Sequence, residues 1–159
     1  MRLRRANEAD RDFLAQMIVH AAFRPGHIPP LEEAVRAQHV VPWLDGWMRT
    51  GDVGVVAEDD GGALGAAWCR RFTGDEVGIS GFVDSATPVL SIGVAEGQRG
   101  RGIGAALLEQ LVAAARAAGC AALSLSVGRS NPALRLYERL GWQRLADASE
   151  RHLRLSRPL

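Results

Sequence analysis

The segment Val94-Ala-Glu-Gly-Gln-Arg-Gly-Arg-Gly-Ile-Gly104 holds residue types suited to binding an anion. Gly100, Gly102 and Gly104 leave the backbone bare, so successive N–H groups can turn inward as a concave, anion-binding nest. A helical pattern follows at once, and the free N–H groups and positive dipole end of a helix start favour phosphate. Arg99 and Arg101 add positive charge and forked donors. The chemistry expected is pyrophosphate binding. A tight glycine-rich turn with two solvated arginines is the plainer alternative. A Walker loop is excluded, because no Gly-Lys-Ser/Thr is present. Gly100-x-Gly102-x-x-Ala105 fits the dinucleotide fingerprint in letter, but about half the chain precedes it, where a first βαβ unit is expected. The strand at 123–127 leads to Gly128-Arg129-Ser130 and brings no acid for a ribose, although Arg129 suits a ribose phosphate.

The elements that must position this loop are legible in outline. Residues 1–5 alternate as a short strand. Asn7 and Asp10 have capping-box spacing ahead of Phe13, Met17, Ile18 and Ala21, which recur at helical intervals. Pro25-Gly26 ends that helix. Pro29-Pro30 opens a second helical stretch, which Pro42 interrupts and Gly51 ends. Strands at 53–58 and 63–72 around Asp59-Asp-Gly-Gly62 read as a hairpin. Residues 73–87 read as neither helix nor strand throughout, and 88–94 is a buried strand. A helix at 102–118 carries Ile103, Leu107, Leu108, Leu111, Val112 and Ala115 as its core stripe and ends at Gly119. A strand at 123–127, a helix at 131–140 and strands at 142–145 and 152–155 complete the order β-α-α-β-β-β-α-β-α-β-β. That order implies an α/β or α+β domain on one central mixed sheet.

The chain has 159 residues, 47% hydrophobic and 23% charged, with a net charge of +1, which reads as one domain over 1–159. The even charge excludes a general nucleic-acid binder and a disordered chain. No apolar run approaches the ~20 residues of a membrane span. Arg11 and Asp12 come too early for a signal peptide, so a cytoplasmic protein is expected. All 19 Lys+Arg residues are arginine, which excludes lysine Schiff-base chemistry. Cys69 and Cys120 sit in apolar settings and read as inert buried thiols. His20, His27, His39 and His152 show no zinc spacing, so no metal is expected.

Val94–Gly104 also resembles the acetyl-CoA-binding motif of the GCN5-related N-acetyltransferases, Arg/Gln-x-x-Gly-x-Gly/Ala, with Arg99, Gly102 and Gly104 at its defined positions. Downstream, Asn131-Pro-Ala-Leu-Arg-Leu-Tyr-Glu-Arg-Leu-Gly-Trp142 resembles the family's Asn-x-x-Ala-x-x-x-Tyr-x-x-x-Gly-Phe segment. Ala133 stands one place early and Trp142 replaces the usual aromatic. The resemblance covers most of the chain. It implies the family's fold, in which the strand before the loop splays from its neighbour and admits the pantetheine arm. It implies backbone contacts from Ile92 and Val94, with the Val94 N–H polarising the thioester carbonyl, and pyrophosphate on Arg99, Gly100, Arg101, Gly102, Ile103 and Gly104. Asn131 becomes a helix cap and cofactor contact, and Gly93 suits close backbone approach. Tyr137 becomes the general acid that protonates the leaving thiolate. Ala133, Leu136, Tyr137 and Leu140 share one helical face, so a plain core tyrosine is the competing reading.

The activity implied is direct transfer of acetyl from acetyl-CoA to a small-molecule amine or peptide, with no metal. The homodimer common among similar proteins is a further expectation. An amine with pKa near 10 is only about one part in a thousand neutral at pH 7, a cost of about 4 kcal/mol that a base must offset. Val89 stands where a family carboxylate often does, and Asp84, Glu76 and Glu96 read as solvated loop acids. Ser91 could position a water. Trp43 and Trp47, at i and i+4, read as packing core or as an aromatic wall joined by Phe23, His27 and Trp68. The apolar Val89 keeps open a non-catalytic acyl-CoA-binding module on the same fold.

Overall fold

The computed structural model describes residues 1–23, 26–74, 79–145 and 149–159. Seven strands form one sheet in the order β1-β2-β3-β4-β5-β7-β6. They are β1 (Arg2–Arg5), β2 (Val53–Asp59), β3 (Gly62–Arg70), β4 (Val89–Val94), β5 (Ala122–Gly128), β6 (Gln143–Arg144) and β7 (His152–Pro158). All neighbours are antiparallel except β4 and β5, which run parallel. Helices α1 (Arg11–Ala22), α2 (Leu31–Ala34) and α3 (Val41–Leu44) cover one face. Helices α4 (Ile103–Ala117) and α5 (Ala133–Arg139) cover the other. Strand alternation feeds both cores: on β5, Leu123, Leu125 and Val127 face α4, leaving Ser124 and Ser126 for the α1 side.

Asn7 and Asp10 form the expected capping box: Asn7 Oδ1 accepts from Ala9 N at 2.9 Å and Asp10 Oδ2 from Asn7 N at 2.8 Å. It opens on a 3-10 turn, Glu8–Asp10, that leads into α1. Asp10 also binds Arg4 through both oxygens, at 2.7 and 2.8 Å. The second helical stretch departs from expectation. It is two short helices, and Pro42 does not break it: Pro42 lies in the first turn of α3, where its missing N–H costs no intrahelical bond. The break falls in the turns between α2 and α3. Strand β3 ends at Arg70, two residues before the expected limit, because Arg70 turns into a buried network. Its guanidinium binds Asp52 at 2.7 and 3.0 Å, Pro42 O at 2.7 Å and Asp45 O at 2.9 Å, which docks the α3 segment on the sheet. Pro25, Glu76 and Gly78 lie outside the described residues. No described helix is long and apolar enough to cross a membrane.

Candidate active site

The parallel pair β4–β5 is joined at one register position, Val89 with Ser124, where Ser124 N donates to Pro88 O at 3.0 Å. Beyond it no rung connects the two strands. On the other edge of β4, Ala95 N donates to Leu64 O at 2.9 Å and continues the β3–β4 ladder. Antiparallel bonds alternate along a strand, so the N–H and C=O groups of Ile92 and Val94 turn away from β3 and toward the gap. Unmet backbone groups are strong hydrogen-bonding sites. The gap therefore offers an extended ligand a row of backbone donors and acceptors. Gly93 faces elsewhere. A Cβ on it would lie 2.8 Å from Met17 Cβ and Met17 O, so its bareness serves the seating of α1 on β4.

The open end of the gap meets the glycine loop. Gly97, Gly100 and Gly102 have φ of +75°, +77° and +79°, conformations costly for a side chain. Gly102 is the N-cap of α4 and supplies no side chain, so the first N–H groups of a 15-residue helix stay unbonded by a cap. A Cβ on Gly104 would meet only Leu136 Cδ2 at 3.8 Å and Val94 Cγ2 at 3.9 Å, an ordinary contact. The protein's own packing thus makes no demand for glycine there, and the spot marks where the ends of β4, α4 and α5 converge. Arg99 and Arg101 are exposed beside the loop, and Arg101 donates to Gln98 Oε1. The Ile103 side chain is 3% exposed in the α4 core, so only its backbone faces a ligand.

Tyr137 is buried on α5, its ring edge-on to Trp142 with centroids 6.1 Å apart. Its hydroxyl makes no hydrogen bond among the described residues, and loss of water pushes the phenol up to about 12. Asn131 Oδ1 accepts from Ala133 N at 2.9 Å, which caps the start of α5. Asn131 also lines a hollow of about 400 Å³ with Arg129, Ser130, Pro132, Leu134 and Arg135. A second cleft, about 440 Å³, lies between α1 and the end of β4 and is lined by Phe13, Met17, His20, Leu31, Ala95 and Glu96 among others.

Residues 16–142 match the family described as the Acetyltransferase (GNAT) family. The chain belongs to this family. It is accordingly an acetyl-CoA-dependent N-acetyltransferase, and the dinucleotide-binding and non-catalytic readings give way. Among solved structures, ribosomal-protein-alanine N-acetyltransferase from Brucella melitensis is 25% identical, covers 100% of both chains and has a TM-score of 0.72. The Salmonella typhimurium protein yncA, solved with its cofactor acetyl-CoA, is 20% identical over 100% of this chain and 94% of its own, with a TM-score of 0.73. A phosphinothricin acetyltransferase from Sinorhizobium meliloti, in complex with acetyl-CoA, is 23% identical over 99% and 88%, with a TM-score of 0.66. No curated protein sequence matches the chain.

Several other expectations about this acetyltransferase meet the structure directly. Trp43 and Trp47 are both core, each 8% exposed. Trp43 packs edge-on to Phe72 at 4.9 Å, and Trp47 Nε1 donates to Asn7 O at 2.9 Å. Trp68 is fully buried, and Phe23 packs on His39 at 5.0 Å. No aromatic wall forms from them. A hydrogen bond from the Thr87 side chain, with the N–H groups of Thr87 and Ala86 donating to Asp84 Oδ1 at 2.8 and 2.9 Å, holds the Asp84 carboxylate below its usual range. Cys69 and Cys120 are free and buried, and burial pushes the Cys69 thiol up to about 12, which removes it as a nucleophile. Sequence reasoning passed over Ser124, Ser126 and the turn at 79–82 that covers them. The alternation Leu-Ser-Leu-Ser-Val in β5 was the available signal.

Proposed function

We propose that this enzyme transfers acetyl from acetyl-CoA to a primary amine by direct attack, in the gap between β4 and β5. The observation that carries this reading is the backbone edge of Ile92 and Val94, turned into a gap that opens on the bare N-terminus of α4. Pantetheine amides pair with that edge as a short substitute strand. The Val94 N–H donates to the thioester oxygen, where negative charge grows as the amine adds. Pyrophosphate sits on the N–H groups of 99–104, with Arg99 and Arg101 adding charge, and Asn131 flanks the cofactor from α5. Acetyl-CoA in yncA and in the Sinorhizobium protein supports the cofactor. The alanine and phosphinothricin in the names of two relatives support an amine acceptor.

Tyr137 is the proton donor to the departing thiolate. Its desolvated phenol keeps its proton throughout the neutral range. A phenol near 12 facing a thiol of ordinary pKa of about 8.5 gives up that proton only uphill. Donation therefore works through a hydrogen bond that strengthens as the C–S bond breaks, in a site that also desolvates the thiolate.

Replacing Arg99 and Arg101 together by alanine separates ligand binding from folding. Both side chains are exposed beside the loop, so their removal leaves the core untouched. The double variant should be as stable as the parent, yet bind acetyl-CoA about tenfold more weakly in calorimetric titration. Unchanged affinity in the folded double variant would sink the pyrophosphate assignment.

A further inference from the structure

With pyrophosphate at the open end of the gap, beside 99–104, the acyl end of the cofactor points to the closed end. There the strands converge on the Val89–Ser124 rung. Counted from that rung, Leu125 and Ser126 stand level with Leu90 and Ser91, where β4 and β5 have just begun to part. One face of this corner is solid core, filled by the buried Leu90, Leu107, Leu123 and Leu125. The α1 face of the same corner is crossed by the turn 79–82. Phe82 N donates to Ile79 O at 3.0 Å and closes that turn.

The turn lies directly on both strands. A Cβ on Gly81 would stand 2.6 Å from Val89 Cγ1 and 3.0 Å from Leu125 C and Ser126 N, closer than a real side chain tolerates. Its φ is outside the left-handed region, so the position needs glycine for room alone. Neither strand can retreat from it. β5 pairs with β7 from Ala122 to Gly128, and Val89 pairs with Arg70 of β3. The turn is also tied down from β7: Arg154, the partner of Ser126, donates from Nη1 to Phe82 O at 2.6 Å. Ile79 and Val89 are buried in the α1-side core, and Phe82 packs against it. Ser124 Oγ and Ser126 Oγ, beneath the turn, are closed to solvent, so the cover is tight.

We propose that the turn 79–82 is the stop against which the acyl group ends, and that it confines this enzyme to short acyl chains. The inference rests on the reading of the β4–β5 gap as the transfer site. A longer chain on the thioester has three ways to go. The converging strands close the first and the α4 core closes the second. The third, out through the α1 face, meets the turn. In a close-packed apolar corner one methylene too many is rejected by about 10- to 200-fold. Gly81 and Arg154 are positioning residues here. Gly81 lets the turn sit down on the strands, and Arg154 holds it there.

The test compares acetyl-, propionyl-, butyryl- and hexanoyl-CoA as donors to the best acceptor of an amine panel. Wild type, Gly81→Ala and Arg154→Gln are assayed, with donor affinity followed by calorimetry and folding by thermal melts. The quantity read is the ratio of kcat/KM for butyryl-CoA to that for acetyl-CoA, in which a general loss of active enzyme cancels. Wild type should favour acetyl over butyryl by about 100-fold. Gly81→Ala forces the turn off the strands, so the ratio should rise by about tenfold, mainly through KM for butyryl-CoA. Arg154→Gln frees Phe82 O without adding bulk and should shift the ratio the same way, more weakly, which keeps the test open if Gly81→Ala does not fold. A wild type that uses butyryl-CoA as well as acetyl-CoA, or folded variants that keep the wild-type ratio, overturns the proposal. A wild type that binds no acetyl-CoA or acetylates no amine overturns the reading of the gap itself.

Discussion

Tyr137, the only tyrosine in the chain, has its phenol pushed up to about 12 by burial. Its folded pKa lies above the unfolded value of about 10, so the native state holds the proton more tightly. Stability from this group is complete below about pH 10 and is lost as pH rises toward about 12, by about 2–3 kcal/mol in all. Tyr137→Phe should remove that alkaline slope from thermal melts. In steady-state assays it should lower kcat by about 100-fold, with acetyl-CoA affinity little changed. An undiminished kcat would return Tyr137 to a core role. The motif letters pointed to this residue, and its helical spacing pointed equally to the core. Tyr137 is buried beside Trp142 on the helix that converges on Val94 and Gly104, and the Tyr137→Phe assay decides between the two roles. Gly102→Ala should behave unlike the loss of Arg99 and Arg101. At φ +79° it should cost about 1 kcal/mol of stability as well as affinity, read from the denaturation midpoint.

At the scale of elements, the start of α1 is the best-determined junction. Arg4 stands between Asp10 and Glu58, and both carboxylates are held below their usual range, chiefly by hydrogen bonds from Arg4. A lowered carboxylate pKa stabilises the fold above its unfolded value of about 3.9 and loses that contribution as pH falls through the folded value. Asp10→Asn should therefore destabilise by about 2 kcal/mol at neutral pH and flatten the acid limb of the stability profile. The capping box was legible because it is local, three residues apart. Pro42 was misjudged because its effect depends on where in a helix it falls, and four-residue helices give periodicity nothing to register. Trp43 and Trp47 had the right spacing for a shared face. Which partner that face meets was decided by Phe72 and Asn7, far away in sequence.

Across the whole molecule, Arg70 and Asp52 tie the α3 segment to the β2–β3 hairpin with neither side chain more than 1% exposed. Asp52→Ala leaves a buried guanidinium without its countercharge and should cost about 3–5 kcal/mol, seen as a large fall in denaturation midpoint. The sequence by itself determined the glycine loop, the helix it opens, the hairpin and the two motifs that share Val94–Trp142. These rest on local causes: positive φ at glycine, a free helix N-terminus, period-2 alternation. Only the tertiary structure decided that β4 and β5 meet at a single rung and then part. Parallel strands joined through a helix have no turn residues to announce their register, so that gap is a property of sheet twist and of what α1 and α4 pack beneath. The same holds for Gly93, whose bareness serves Met17, and for Gly81, whose bareness serves Val89 and the β5 backbone.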